Sequence, residues 1–170
     1  MLIFLIGFMG SGKSTTGKLL AARLKYRFAD LDDLIGQREN MPITQIFASR
    51  GEDYFRIAES AALKSMLAYD NMVVACGGGT PCFFDNMQQM KSSGLTIYLK
   101  VSSDILADRL SAGGSGRPLV AGMTGENLNN HLKKLLAGRE SWYRQSDIIY
   151  PADKFDIEEL LDLIASWHKA

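Results

Sequence analysis

Gly7-Phe8-Met9-Gly10-Ser11-Gly12-Lys13-Ser14-Thr15 sets a glycine, four residues and then Gly-Lys-Ser directly behind the apolar run Leu2–Ile6. Glycines let a backbone curl until several N–H groups face one anion, and a helix N-terminus behind the curl adds a favourable partial charge. A lysine at this spacing reaches β- and γ-phosphates, and the following hydroxyl can ligate Mg²⁺. The chemistry implied is capture of a nucleoside triphosphate.

Three other groups carry chemical types that phosphoryl transfer uses. Asp30, Asp32 and Asp33 follow a second extended stretch. A carboxylate there can hold Mg²⁺ through water or accept a proton from a hydroxyl, while Asp33 reads as the N-cap of a helix that starts near Leu34. Gly77-Gly78-Gly79 closes a buried run and leaves bare backbone against which a ligand can lie. Arg56 stands three residues before Glu59, within reach of an i,i+3 pair. Arg117 falls in a Gly-rich stretch, and Arg144 follows Trp142-Tyr143 at the end of a long helical pattern. Moving a phosphoryl group needs cations on it, and a small anionic acceptor needs planar bidentate donors. Cys76 and Cys82 have no partners at zinc spacing and read as free thiols, which favours a reducing cytoplasm. His131 and His168 stand among polar residues and read as surface positions.

Short apolar runs alternate with helix-period segments along the whole chain. Strands are expected at 2–6, 27–29, 72–75, 95–99 and 148–150. Helices are expected at 13–25, 34–38, 43–50, 54–69, 86–92 and 103–111, then from Leu128 to Tyr143, and over the stripe Ile157, Leu160, Leu161 and Ile164. Residues 112–124, with Arg117-Pro118, read as a loop. Five strands separated by helices give an α/β domain with a parallel sheet covered on both faces. Ligands of such sheets sit at the carboxyl ends of the strands, so the phosphate loop, the aspartates and the triple glycine should share one rim.

The 170 residues hold 46% apolar and 22% charged side chains, with 19 Lys+Arg against 19 Asp+Glu. That balance gives no global positive field for nucleic acid or an anionic membrane. The apolar runs are too short to span a bilayer. Residues 1–7 lack a basic n-region and a small-residue cleavage site, so they read as a core strand and not a signal peptide.

Taken in order, the phosphate loop, Asp30-Leu31-Asp32, Phe55-Arg56…Glu59, Gly77-Gly78-Gly79, Arg117-Pro118-Leu119 and Tyr143-Arg144 strongly resemble the shikimate kinase family, from about residue 2 to 165. The resemblance implies a P-loop kinase fold like that of nucleoside monophosphate kinases. It has a five-stranded parallel sheet in one domain over 1–170, a substrate-binding segment at about 30–62 and a lid at about 111–124. It implies transfer of the ATP γ-phosphate to the 3-hydroxyl of shikimate, on the route to chorismate and the aromatic amino acids.

Carried over by position, Gly10, Ser11, Gly12, Lys13, Ser14 and Thr15 would cradle ATP, with Arg109 and Arg117 as further ATP contacts. Ser14 and Asp30 would hold Mg²⁺. Asp32 would bind the substrate hydroxyls and serve as base. Arg56, oriented by Glu59, and Arg144 would grip the carboxylate. Gly77, Gly78 and Gly79 would contact the substrate through backbone, and Lys13, Asp32 and Arg117 would form the catalytic set. Phe47 and Phe55 are suited to pack the substrate ring. The resemblance implies a cytoplasmic enzyme, and a monomer is the simpler expectation. The chain departs from the family pattern at Cys76, Thr80-Pro81 and Asp33. Gluconate and nucleoside monophosphate kinases, and a non-catalytic ATP-binding module, are the rival readings.

Overall fold

A computed structural model describes residues 1–112 and 125–167. Arg117, nearly all of the expected lid and His168 lie outside the described residues.

The five runs of apolar residues form the five strands β1 (Leu2–Ile6), β2 (Arg27–Asp30), β3 (Met72–Ala75), β4 (Gly94–Lys100) and β5 (Ile148–Pro151). They pair in parallel in the order β2-β3-β1-β4-β5. Every residue of β1 and β3 is buried, as is all of β4 except Lys100. Strands buried on both faces read as continuous apolar runs, which is why they lack alternation.

The connections are helices α1 (Lys13–Leu24), α2 (Leu31–Glu39), α3 (Ile43–Met66), α4 (Asn86–Ser93), α5 (Ser103–Ala112), α6 (Gly125–Tyr143) and α7 (Ile157–Ser166), with a 3₁₀ turn over Thr80–Cys82. Helix α1 lies on β2 and β3. It does so closely because Gly17 faces β2, where a Cβ would stand 2.5 Å from Cε2 of Phe28.

One local detail differs from the sequence reading. Helix α2 begins at Leu31, not near Leu34, and its N-cap is Asp30, whose side chain accepts from the Asp32 N–H at 3.0 Å. Asp30 is still extended (φ −111°, ψ 125°), so the chain passes from strand to helix without a loop, and the first carboxylate takes the cap that Asp33 was expected to hold. The two helices expected at 43–50 and 54–69 are both present, as the two arms of α3 on either side of a break at Gly51. Its φ of 81° and ψ of 173° are open to glycine and strained for any other residue.

Strand register sets the site. Leu5 of β1 and Asp30 of β2 both pair with Ala75 of β3. The phosphate loop, the start of α2 and the glycine turn therefore leave the sheet at one level.

Candidate active site

The phosphate loop is made of backbone. Gly7, Gly10 and Gly12 adopt φ of 149°, 83° and 91°, which turn the chain into the cradle. Gly12 is also the N-cap of α1, so no side chain occupies the first-turn N–H groups, and no acidic residue lies in that turn. Helices α2 and α7 do the opposite, carrying Asp32 and Asp33, and Glu158 and Glu159, in their first turns under aspartate caps. A first turn bare of carboxylates suits an end that accepts an anion. Lys13 lies back across the loop, its Nζ 2.9 Å from the carbonyl oxygens of both Gly7 and Phe8 and 3.5 Å from Ser11 Oγ.

A cavity of about 590 Å³ opens over this loop. Gly10, Gly12, Lys13, Ser14, Thr15, Asp30, Asp32, Arg56, Gly77, Gly78, Gly79 and Arg109 all line it, together with Phe47, Phe55 and Glu59. Ser11 is buried in the loop beneath them. Arg109 of α5 donates to the Gly10 carbonyl at 3.1 Å. Ser14 Oγ donates to Asp30 Oδ2 at 2.5 Å, while the other oxygen of Asp30 caps α2. A hydroxyl and a carboxylate side by side at the loop mouth are hard oxygen donors of the kind Mg²⁺ accepts when it keeps waters and shares phosphate oxygens. Among the described residues no group of three or more His, Cys, Asp and Glu side chains could hold a metal by itself, so the donor set fits an ion that arrives with a nucleotide.

The opposite wall is built from side chains. Arg56 is nearly buried, and the oxygens around it come from its own helix. Nη1 donates to Glu59 Oε2 at 2.9 Å, and Nε and Nη2 donate to Glu52 Oε1 at 3.1 and 2.7 Å. Burial works against its charge, but Glu59 and Glu52 outweigh that, so its pKa stands above the usual arginine value. The guanidinium lies 4.3 Å from the Phe83 ring centre. Gly79 allows this packing, since a Cβ there would run into Nη1, Cζ and Nη2 of Arg56. Gly77 has the same role for carboxylates, with Asp32 Oδ1 3.3 Å from where its Cβ would stand. Phe47 and Phe55 line the cavity with ring centres 4.6 Å apart and planes tilted by 39°.

Arg144 is not part of this wall. It is exposed and pairs through Nε with Glu140 Oε1 at 3.0 Å. The arginine that lines the cavity from α6 is Arg139, which lies over Phe8 at 5.6 Å and has Nη1 3.5 Å from a Cβ position at Gly78. Helical phase explains the exchange. Leu128, Leu132 and Tyr143 are buried on α6, and Arg139 falls one turn before Tyr143 on the same face, whereas Arg144 is rotated away by about 100°. Tyr143 fastens that face to the glycine turn by donating to the Gly78 carbonyl at 2.5 Å. Burial raises its pKa, so it remains a phenol donor. The stripe Leu128, Leu132, Leu135, Arg139, Tyr143 was the signal available for Arg139.

The cysteines lie at either end of the glycine turn and are free. Burial raises both thiol pKa values, that of Cys82 to about 11.

The chain's resemblances agree with this geometry. The family model described as shikimate kinase matches residues 9–168. A shikimate kinase of Azobacteroides pseudotrichonymphae is 40% identical over 161 residues, covering 94% of this chain and 95% of the relative. The crystal structure of shikimate kinase from Bacteroides thetaiotaomicron superposes with a TM-score of 0.92 at 35% identity, over 97% of this chain and 98% of that one. Shikimate kinase from Acinetobacter baumannii in complex with shikimate superposes with a TM-score of 0.90 at 30% identity, over 97% and 93%.

Proposed function

The chain belongs to the shikimate kinase family, and we propose that it moves the γ-phosphate of ATP to the 3-hydroxyl of shikimate with the residues gathered in this one cavity. The observation that carries the reading is the placement of a buried guanidinium, Arg56, in the same cavity as the phosphate loop, with the Asp32 carboxylate also lining it. A carboxylated polyol needs a cation for its acid and an acceptor for its hydroxyls, and both are present beside a triphosphate cradle.

Phosphoryl transfer asks the protein mainly for positioning and charge neutralisation. The N–H groups of 10–15 hold the ATP phosphates, and Lys13 exchanges the carbonyls of Gly7 and Phe8 for phosphate oxygens. Ser14 and Asp30 are the residues that would hold Mg²⁺, which when bound neutralises charge on the β- and γ-oxygens. Arg56 and Arg139 grip the shikimate carboxylate, in place of the Arg56–Arg144 pair expected from sequence. The glycine turn 77–79 meets the substrate through backbone, and Phe47 and Phe55 support its ring. Asp32 accepts a hydrogen bond from the attacking hydroxyl, orienting its oxygen and taking its proton as the new P–O bond forms and the bond from the γ-phosphorus to the bridging oxygen breaks, that oxygen leaving with ADP. Arg109 belongs to the ATP side. Arg117 and the lid belong to the same proposal through the resemblance and the Gly-rich stretch they occupy, the cytoplasm through the free thiols as well, and the monomeric state as the simpler expectation. Among the described residues no helix is long and apolar enough to cross a membrane.

The test is a coupled assay of ADP release by the purified chain with shikimate, gluconate and nucleoside monophosphates offered in turn. Release with shikimate at least a hundredfold faster than with the others is the expected result. Comparable or faster release with gluconate or a nucleotide overturns the acceptor assignment.

A further inference from the structure

Glu59 has no exposed surface, and its two carboxylate oxygens are divided between two partners. Oε2 accepts from Arg56 Nη1 at 2.9 Å, and Oε1 accepts from the Thr80 hydroxyl at 2.6 Å. Thr80 is itself fully buried at the start of the 3₁₀ turn, and its main chain is fixed on both sides. Its N–H donates to the Gly77 carbonyl at 3.1 Å, and its carbonyl accepts from Asn86 Nδ2 at 2.9 Å. Asn86, also fully buried, accepts from Ser60 Oγ at 2.8 Å, and Ser60 is the neighbour of Glu59 on α3. A closed polar circuit thus runs from α3 through Asn86 and Thr80 back to α3. Gly77 leaves the room it needs, since a Cβ at that position would run into Glu59 Oε1 and come within 3.1 Å of Thr80 Oγ1.

A buried carboxylate oxygen that loses its donor is not compensated by water, and the group rotates or draws its other partner with it. Here the other partner is the arginine assigned to the acceptor's acid. Resting on the proposed function, we infer that Thr80 is a positioning residue for acceptor selection. It touches neither substrate. Its hydroxyl fixes the plane of the Glu59 carboxylate, and that plane fixes the Arg56 guanidinium which recognises a carboxylate on the acceptor. The turn after the three glycines therefore tunes preference for an acidic over a neutral polyol.

Thr80→Val keeps the shape and removes the donor, and Thr80→Ser keeps the donor. The measurement is kcat/KM for shikimate and for its methyl ester, with KM for ATP as control. In Thr80→Val the preference for acid over ester should fall about tenfold. The loss should lie in KM for the acid, the ester and ATP should stay within twofold, and Thr80→Ser should restore the preference. An equal fall for acid and ester, or a ratio kept within twofold, overturns the inference. If the valine variant does not fold, Thr80→Ala against Thr80→Ser reads the same ratio. Absence of shikimate turnover in the unaltered chain would instead overturn the functional reading, so the two failures are distinguishable.

Discussion

At the phosphate loop the groups offered to a ligand are main-chain N–H donors within one contiguous run of residues, 7–15, shaped by glycines at φ of 149°, 83° and 91°. At the acceptor corner they are side chains from α2, α3 and α6 around a glycine turn, with Arg56 held by Glu59, Glu59 by Thr80, and α6 fastened to the turn by Tyr143. The first region fits a phosphate, an anion every nucleotide shares. The second, under the proposed function, takes a small carboxylated acceptor. General recognition is cheaply built from backbone, and discrimination is left to side chains whose rotamers must be locked by neighbours.

The comparison breaks first at Lys13. In Lys13→Met turnover should fall about a thousandfold, as a preorganised cation on the transferring group is lost. Shikimate affinity, followed by calorimetry, should change less than twofold, and weakened shikimate binding would show that the two regions are not separable. Arg56→Ala makes the converse cut. Shikimate affinity should drop about a hundredfold because a buried charged partner is removed, with ATP affinity preserved. The melting temperature should also fall, because Glu59 is left buried without its counter-charge.

The third cut separates two neighbours on α6. Arg139→Ala should raise KM for shikimate at least about tenfold, the worth of one charge-assisted hydrogen bond, while Arg144→Ala should alter it less than twofold, as an exposed pair contributes little. The reverse order would return the carboxylate clamp to Arg144. The smallest effect concerns the thiols. With its pKa pushed up to about 11, Cys82 carries about 0.1% thiolate at pH 8, and Cys76 is raised as well. Mass spectrometry after brief iodoacetamide treatment at pH 8 should find the folded protein unlabelled and the urea-unfolded chain labelled twice.

The same contrast decides what could be read from sequence. The phosphate loop was legible because its parts are contiguous and each glycine answers a backbone need. Arg56 and Glu59 were legible because i,i+3 neighbours on a helix meet without help from the fold. The central strands β1, β3 and β4 were legible as apolar runs, and the break at Gly51 showed as two helical patterns. Arg139 was missed because the eye goes to Tyr143-Arg144, adjacent in sequence but facing different ways, and only helical phase separates them. The start of α2 was missed because Asp30, Asp32 and Asp33 are equally good caps, and the choice fell to where β2 stops being extended. Thr80 stood out only as a departure from the family pattern, and its contact could not be read. Its partner Glu59 lies 21 residues away, and nothing local marks a hydroxyl that matters only through a carboxylate it meets after folding.

The row formed by Leu5, Ala75 and Asp30 has a further consequence. Within the strands, one apolar residue can replace another of similar bulk with modest loss, so the letters there are free to drift. Their number is not. Deleting a single residue from β3 would turn its side chains to the wrong face and draw the glycine turn away from both neighbours. Members of such a lineage can be expected to differ widely in spelling along these stretches while keeping the same count from strand to loop.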